Sequence, residues 1–162
     1  MTWSRAHRRH QLVHEVLAEI ARDRRPEIPD RWAGEIEAEF GGFGEFLRDV
    51  QARWYRTFEA RIDPLLESGA PDMRAALDAV WHELAGDMPG ARLLLDAHVA
   101  HPALAELHDR RRRLLHLATG LHWDPAAATP AAVPRPRHAS TPRAPRRTFK
   151  PCLWIIAPGG IR

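Results

Sequence analysis

Three histidines near the start of the chain have the spacing of a metal site. His7, His10 and His14 stand at i, i+3 and i+7, which places them within about 60° of one another on one helix face. Neutral imidazoles so arranged can share one ion, and His is the commonest ligand for zinc, copper, iron or nickel. The plainer reading is a polar flank interleaved with Arg8 and Arg9, whose charge opposes a cation. Further along stand His82 with Asp87, then His98, His101, His108 and His116. Histidines and carboxylates converging from several helices are how metal sites in bundles are made, but the paired Glu-x-x-His motifs of di-iron bundles are missing. A histidine near a helix C-terminus also complements the helix dipole, which accounts for His98, His101 and His116 without any ligand.

Other chemical signals are weaker. Gly41, Gly42 and Gly44 follow no strand and precede no Lys, so they form neither a P-loop nor a dinucleotide fingerprint and are expected to separate two helices. A DNA-reading helix-turn-helix at the same place fails because its second helix would be too apolar to lie in a major groove. Arg110 to Arg113 is the densest charge run before residue 125. Arg110 and Arg113 are expected to pair with Glu106 and Asp109 one turn earlier. Arg111 falls on the leucine side, where it must snorkel, meet a carboxylate or mark an oligomer surface. Cys152 is the single cysteine, which excludes an internal disulfide, a Cys-based zinc cage and a paired redox motif and fits a reducing compartment.

The elements that must position these residues are helices. Phe43, Phe46, Leu47, Val50, Trp54, Phe58 and Leu65 recur at helical spacing, forming one apolar stripe on a long helix that needs covering on several sides. Pro64 is expected to kink that helix or restart it, with Asp63 as the new cap. Before it, a first helix is predicted over about Ser4 to Arg24, burying Leu12, Val13, Val16, Leu17 and Ile20. A second, capped by Asp30, carries Trp32, Ile36 and Phe40. After it come a helix capped by Asp72 with Met73, Ala76, Leu77, Val80, Trp81 and Leu84, and a short one with Leu93 to Leu95. The last places Leu104, Leu107, Leu114, Leu115 and Ala118 inward and ends at Gly120. No period-two run flanked by turn residues is present, so no strand is predicted.

Beyond Trp123 the composition changes. All 21 acidic residues lie at or before Asp124, against 17 basic ones there, whereas the remaining 38 residues hold seven basic residues and eight prolines. Residues 1–124 are therefore expected to be a mildly acidic helical domain, and 125–162 a disordered basic tail. Arg135, Arg137, Arg143, Arg146, Arg147 and Lys150 in that tail are candidates for weak, sequence-indifferent binding of nucleic acid or another polyanion. The competing readings are a solubilising extension, or one that folds back on the acidic face of Glu35, Glu39, Glu45 and Asp49.

The sequence thus predicts an all-α fold, a small bundle of five to six helices with a disordered Pro/Arg-rich tail. The longest apolar run, Cys152 to Ala157, is too short to span a bilayer, and the expected location is the cytoplasm. The leading functional expectation is a binding or regulatory protein acting through a protein partner, a second copy of the chain included. The alternative is a helical metal- or haem-binding protein, with oxidoreductase chemistry among its outcomes. No nucleophile elbow or carboxylate pair argues for an enzyme, and no cofactor is specified.

Overall fold

The computed structural model describes residues 2–124, with side chains from Ser4 onward; residues 125–162, including the basic tail and its candidate polyanion-binding residues, lie outside the described residues. Six α-helices follow one another: α1 Thr2–Asp23, α2 Ala33–Phe40, α3 Phe43–Ser68, α4 Met73–Asp87, α5 Pro89–Ala97 and α6 Pro102–Thr119. A short 3-10 turn, Asp30–Trp32, leads into α2, and no strand occurs among the described residues.

The apolar stripe of α3 explains the packing. Phe46, Leu47, Val50, Trp54, Tyr55, Phe58 and Ile62 are all buried, and α3 contacts α2, α4, α5 and α6. On the far side α1 lays Leu12, Val13, Val16 and Ile20 against the core, packing on α5 and α2. That approach is so close that a Cβ on Gly90 would stand 2.0 Å from the Leu17 carbonyl oxygen. Only a residue without a side chain fits there.

The helix ends follow their caps. Asp72 Oδ1 accepts from the Ala75 amide at 3.0 Å, and Gly41, Gly69 and Gly120 close α2, α3 and α6 in the left-handed conformation. His101 starts α6 rather than closing α5, its Nδ1 accepting from the Ala103 amide at 3.2 Å. His98 does occupy the end of α5, with Nδ1 2.9 Å from the Leu94 carbonyl oxygen. Asp30 does not cap α2. The Trp32 amide donates to the Pro29 carbonyl at 3.0 Å, so Asp30 sits inside the 3-10 turn. The turn is held through Glu19, buried on α1, which accepts from Trp32 Nε1 at 2.7 Å and pairs with Arg31.

The restart offered as one outcome at Pro64 and part of the inward face expected of α6 are not what the structure shows, each for a physical reason. Helix α3 runs through Pro64 without restarting. Pro64 and Ala60, whose carbonyl loses its donor, are both exposed, so water can satisfy the freed oxygen, while buried Ile62 anchors the helix just before the proline. On α6, Leu104 and Leu115 are buried but Leu114 and Ala118 are exposed, because α6 packs against α3 alone among its substantial contacts and one neighbour covers only a narrow stripe.

Trp123 makes up part of that deficit. It follows α6, is buried, stacks on Phe58 at 5.3 Å and meets Trp81 edge-on at 5.3 Å. Its Nε1 donates to Asp78 at 2.8 Å, and Arg74 donates to the His122 carbonyl at 3.1 Å, so residues 122–123 are pinned to α4.

The charges are mostly settled within the body. Glu39 meets Arg5 and Arg8, Glu45 meets Arg48, and Asp49 meets Arg53, so three of the four carboxylates of the expected acidic face already have partners. Asp109 pairs with Arg112 at 2.8 Å instead of Arg113. Arg111 pairs with Glu59 on α3.

Candidate functional site

The histidines do not converge. His7, His10 and His14 lie on the exposed side of α1, and His10 Nδ1 is 2.7 Å from Arg53 Nη1. His98 and His101 pack edge-on to Phe43, His116 stacks on His122 with ring centroids 4.1 Å apart, and His82 is exposed. Among the described residues no three His, Cys, Asp or Glu side chains are grouped to hold a metal ion.

The chemistry gathers instead in a cleft of about 460 Å³ between α3, α4, α5 and α6. Helices α3, α5 and α6 each supply residues about one turn apart, as 3.6-residue periodicity requires. From α3 come Gln51, Trp54 and Tyr55, and from α4 comes Trp81; Arg92, Leu95 and Asp96 come from α5, and Leu104, Ala105, His108 and Asp109 from α6. Trp81 is the floor, with Trp54 against it at 5.1 Å and Phe58 at 5.4 Å, both edge-on. Such pairs favour an edge-to-face arrangement because positive ring edges meet negative faces.

Polar groups are few and tightly held. The Arg92 guanidinium lies over the Trp81 ring at 5.1 Å and near Trp54 at 6.0 Å, while its Nε meets Asp96 Oδ2 at 2.8 Å. Burial pushes the Asp96 carboxyl above the usual carboxylate pKa, opposed by Arg92. The Tyr55 hydroxyl is 2.8 Å from His108 Nδ1. Burial raises its pKa well above the ordinary value, outweighing the nearby Arg111 and Arg92 charges, so it keeps its proton.

Three cleft residues retain unmet hydrogen-bonding atoms. Gln51 donates from Nε2 to the Leu104 carbonyl at 3.1 Å, but its Oε1 has no partner, and neither does the indole N–H of Trp54 or Trp81. Each is buried, and leaving such a group unpaired costs about 1–3 kcal/mol. Most buried polar atoms in proteins are satisfied, so three around one cleft need an explanation.

Among the cleft's charged and hydrogen-bonding side chains other than the tryptophans, sequence reasoning singled out His108, as a metal candidate, and Asp109, as an ion-pair partner of Arg113. A signal was present in Gln51, a lone amide within the apolar register of α3, and in the i, i+4 pair Arg92 and Asp96 on a short helix. Compared with known protein families, curated proteins and solved structures, the chain matches none.

Proposed function

We propose that the bundle is a binding protein whose partner is a small, mainly apolar molecule held in the cleft between α3, α4, α5 and α6. The observation that carries this reading is the cleft itself, about 460 Å³ between four helices and lined by Trp54, Tyr55, Trp81, Leu95, Val99 and Leu104 with Arg92, Asp96 and His108 among them. A cleft of a few hundred Å³, lined mostly by apolar side chains with a few fixed polar groups, has the character of small-molecule sites in general.

Ala105 lines the cleft and its helix position is otherwise exposed, so Ala105→Trp should fill the site without disturbing the core. Calorimetric titration with naphthalenemethanol, a neutral probe of suitable size, should give saturable one-to-one binding with a negative heat-capacity change. The Ala105→Trp variant should keep its helicity and lose that binding. Equal binding by both chains, or no saturable binding by the parent, would exclude the cleft.

A further inference from the structure

We infer that the protein is a two-fold homodimer in which the exposed face of α6, with the end of α3 beside it, packs against the same face of a second copy. Helix α6 has α3 as its one substantial neighbour, so its opposite side is left without a layer among the described residues. Of the three large apolar residues exposed among them, two stand there, Leu114 at 45% and Leu117 at 80%. Between α6 and α3 runs a groove of about 260 Å³ whose apolar lining includes Ile62, Leu66, Leu114, Leu115 and Ala118. Contiguous apolar surface rimmed by charged residues has the composition of an association site.

The charges on this face identify the occupant. Arg110 and Arg113 on α6, and Asp63 and Glu67 on α3, are exposed and have no ion-pair partner among the described residues, Asp109 being taken by Arg112. A foreign partner of one charge sign would attract one of these rows and repel the other. A second copy related by a two-fold axis presents each row to its opposite. Within one copy α3 and α6 run parallel, with Gln51 level with Leu104, Tyr55 with His108 and Glu59 with Arg111, an offset of 53, 53 and 52 residues. Carried forward, that offset sets Asp63 level with residues 115–116 of α6 and Glu67 with 119–120. An axis between Leu114 and Leu117 makes the two α6 helices antiparallel and lays Leu114 on the partner's Leu117, and the reverse. The same axis puts Asp63 within a turn of the height of the partner's Arg113, and Glu67 within a turn of the partner's Arg110. The α3 and α6 helices of both copies then form a four-helix arrangement that covers α6 on both sides.

Sedimentation equilibrium of the full chain, with reductant present so that Cys152 forms no cross-link, should show a monomer–dimer equilibrium over about 1–100 μM protein. Added salt should weaken it by screening the exposed charge pairs. Leu117→Glu, at a side chain the single copy leaves in water, should keep helicity and raise the dissociation constant about tenfold or more. Asp63→Arg and Arg113→Asp should each do the same, because either one places like charges at both symmetric contacts. Mixed in equal amounts, those two variants should regain the parent's association, since each contact of the mixed dimer again joins an Arg to an Asp. Should Asp63→Arg lose helicity, Glu67→Arg mixed with Arg110→Glu makes the same test with the other pair. A monomer at every concentration, a dimer indifferent to Leu117→Glu, or a mixture of well-folded variants that stays dissociated overturns the inference.

Discussion

Tyr55 is the single tyrosine of the chain, so its ionisation can be followed without interference. Burial raises its pKa in the folded protein, which means that the unfolded chain releases the phenolic proton at a lower pH than the folded one. The stability contributed by the neutral hydroxyl is therefore complete below the ordinary tyrosine value of about 10 and is lost as pH rises towards the folded-state value, at up to about 1.4 kcal/mol per pH unit. Tyrosinate absorbance should stay absent above pH 10 until helicity collapses, and the two signals should rise and fall together. Tyr55→Phe should flatten the alkaline slope while costing about 1 kcal/mol at neutral pH through the lost contact with His108. Smooth titration near pH 10 with the helices intact would show that Tyr55 is solvated.

At the scale of elements, the contact between α1 and α5 is the most exacting. Gly90 lies against the backbone of Leu17, not against a flexible side chain, so an added methyl group can be accommodated only by separating the two helices. Gly90→Ala should cost about 3 kcal/mol or more in denaturant unfolding, the upper end for overpacking. Gly86 is an internal control. It sits in the last turn of α4 with nothing within 4 Å of its would-be Cβ, and Gly86→Ala should stabilise by about 0.5–1 kcal/mol through backbone entropy. If both substitutions behave alike, α1 does not lie on α5 at that distance. Helix α3 teaches a related point, since its proline is tolerated where the freed carbonyl faces water.

At the scale of the molecule, the segment after α6 closes the aromatic core, with Trp123 stacked on Phe58 and bonded to Asp78. A chain of residues 1–124 should unfold cooperatively with the helicity of the full chain. A chain of residues 1–119 should lose about 3–5 kcal/mol, the range for deleting a buried aromatic side chain, and with a small domain's margin that loss can abolish the fold. Equal stability of the two would remove Trp123 from the core. The 1–124 chain also addresses the basic residues beyond it: if Arg135, Arg137, Arg143, Arg146, Arg147 and Lys150 bind polyanions, salt-sensitive binding to a short duplex should disappear on truncation while helicity is kept.

What the sequence determined by itself is the set of helices and their buried faces. Apolar spacing in α1, α2, α3 and α4 identifies Val16, Ile36, Trp54 and Trp81 as core, and Asp72 and Gly120 mark ends, because periodicity and capping act within a few residues of chain. Helix α6 was legible only in part: Leu114 has the spacing of a buried residue and lies exposed, since spacing records which side of a helix is apolar and not how many neighbours will cover it. The cleft was decided by tertiary structure alone. Gln51, Trp81, Arg92 and His108 come from four helices, and none announces the others in sequence. Their meeting depends on how α5 and α6 are set against α3 and α4, down to the missing side chain at Gly90. The histidine triplet on α1 illustrates the converse: its spacing puts three imidazoles on one helix face, but the packing turns that face to solvent, so local geometry alone assembles no site.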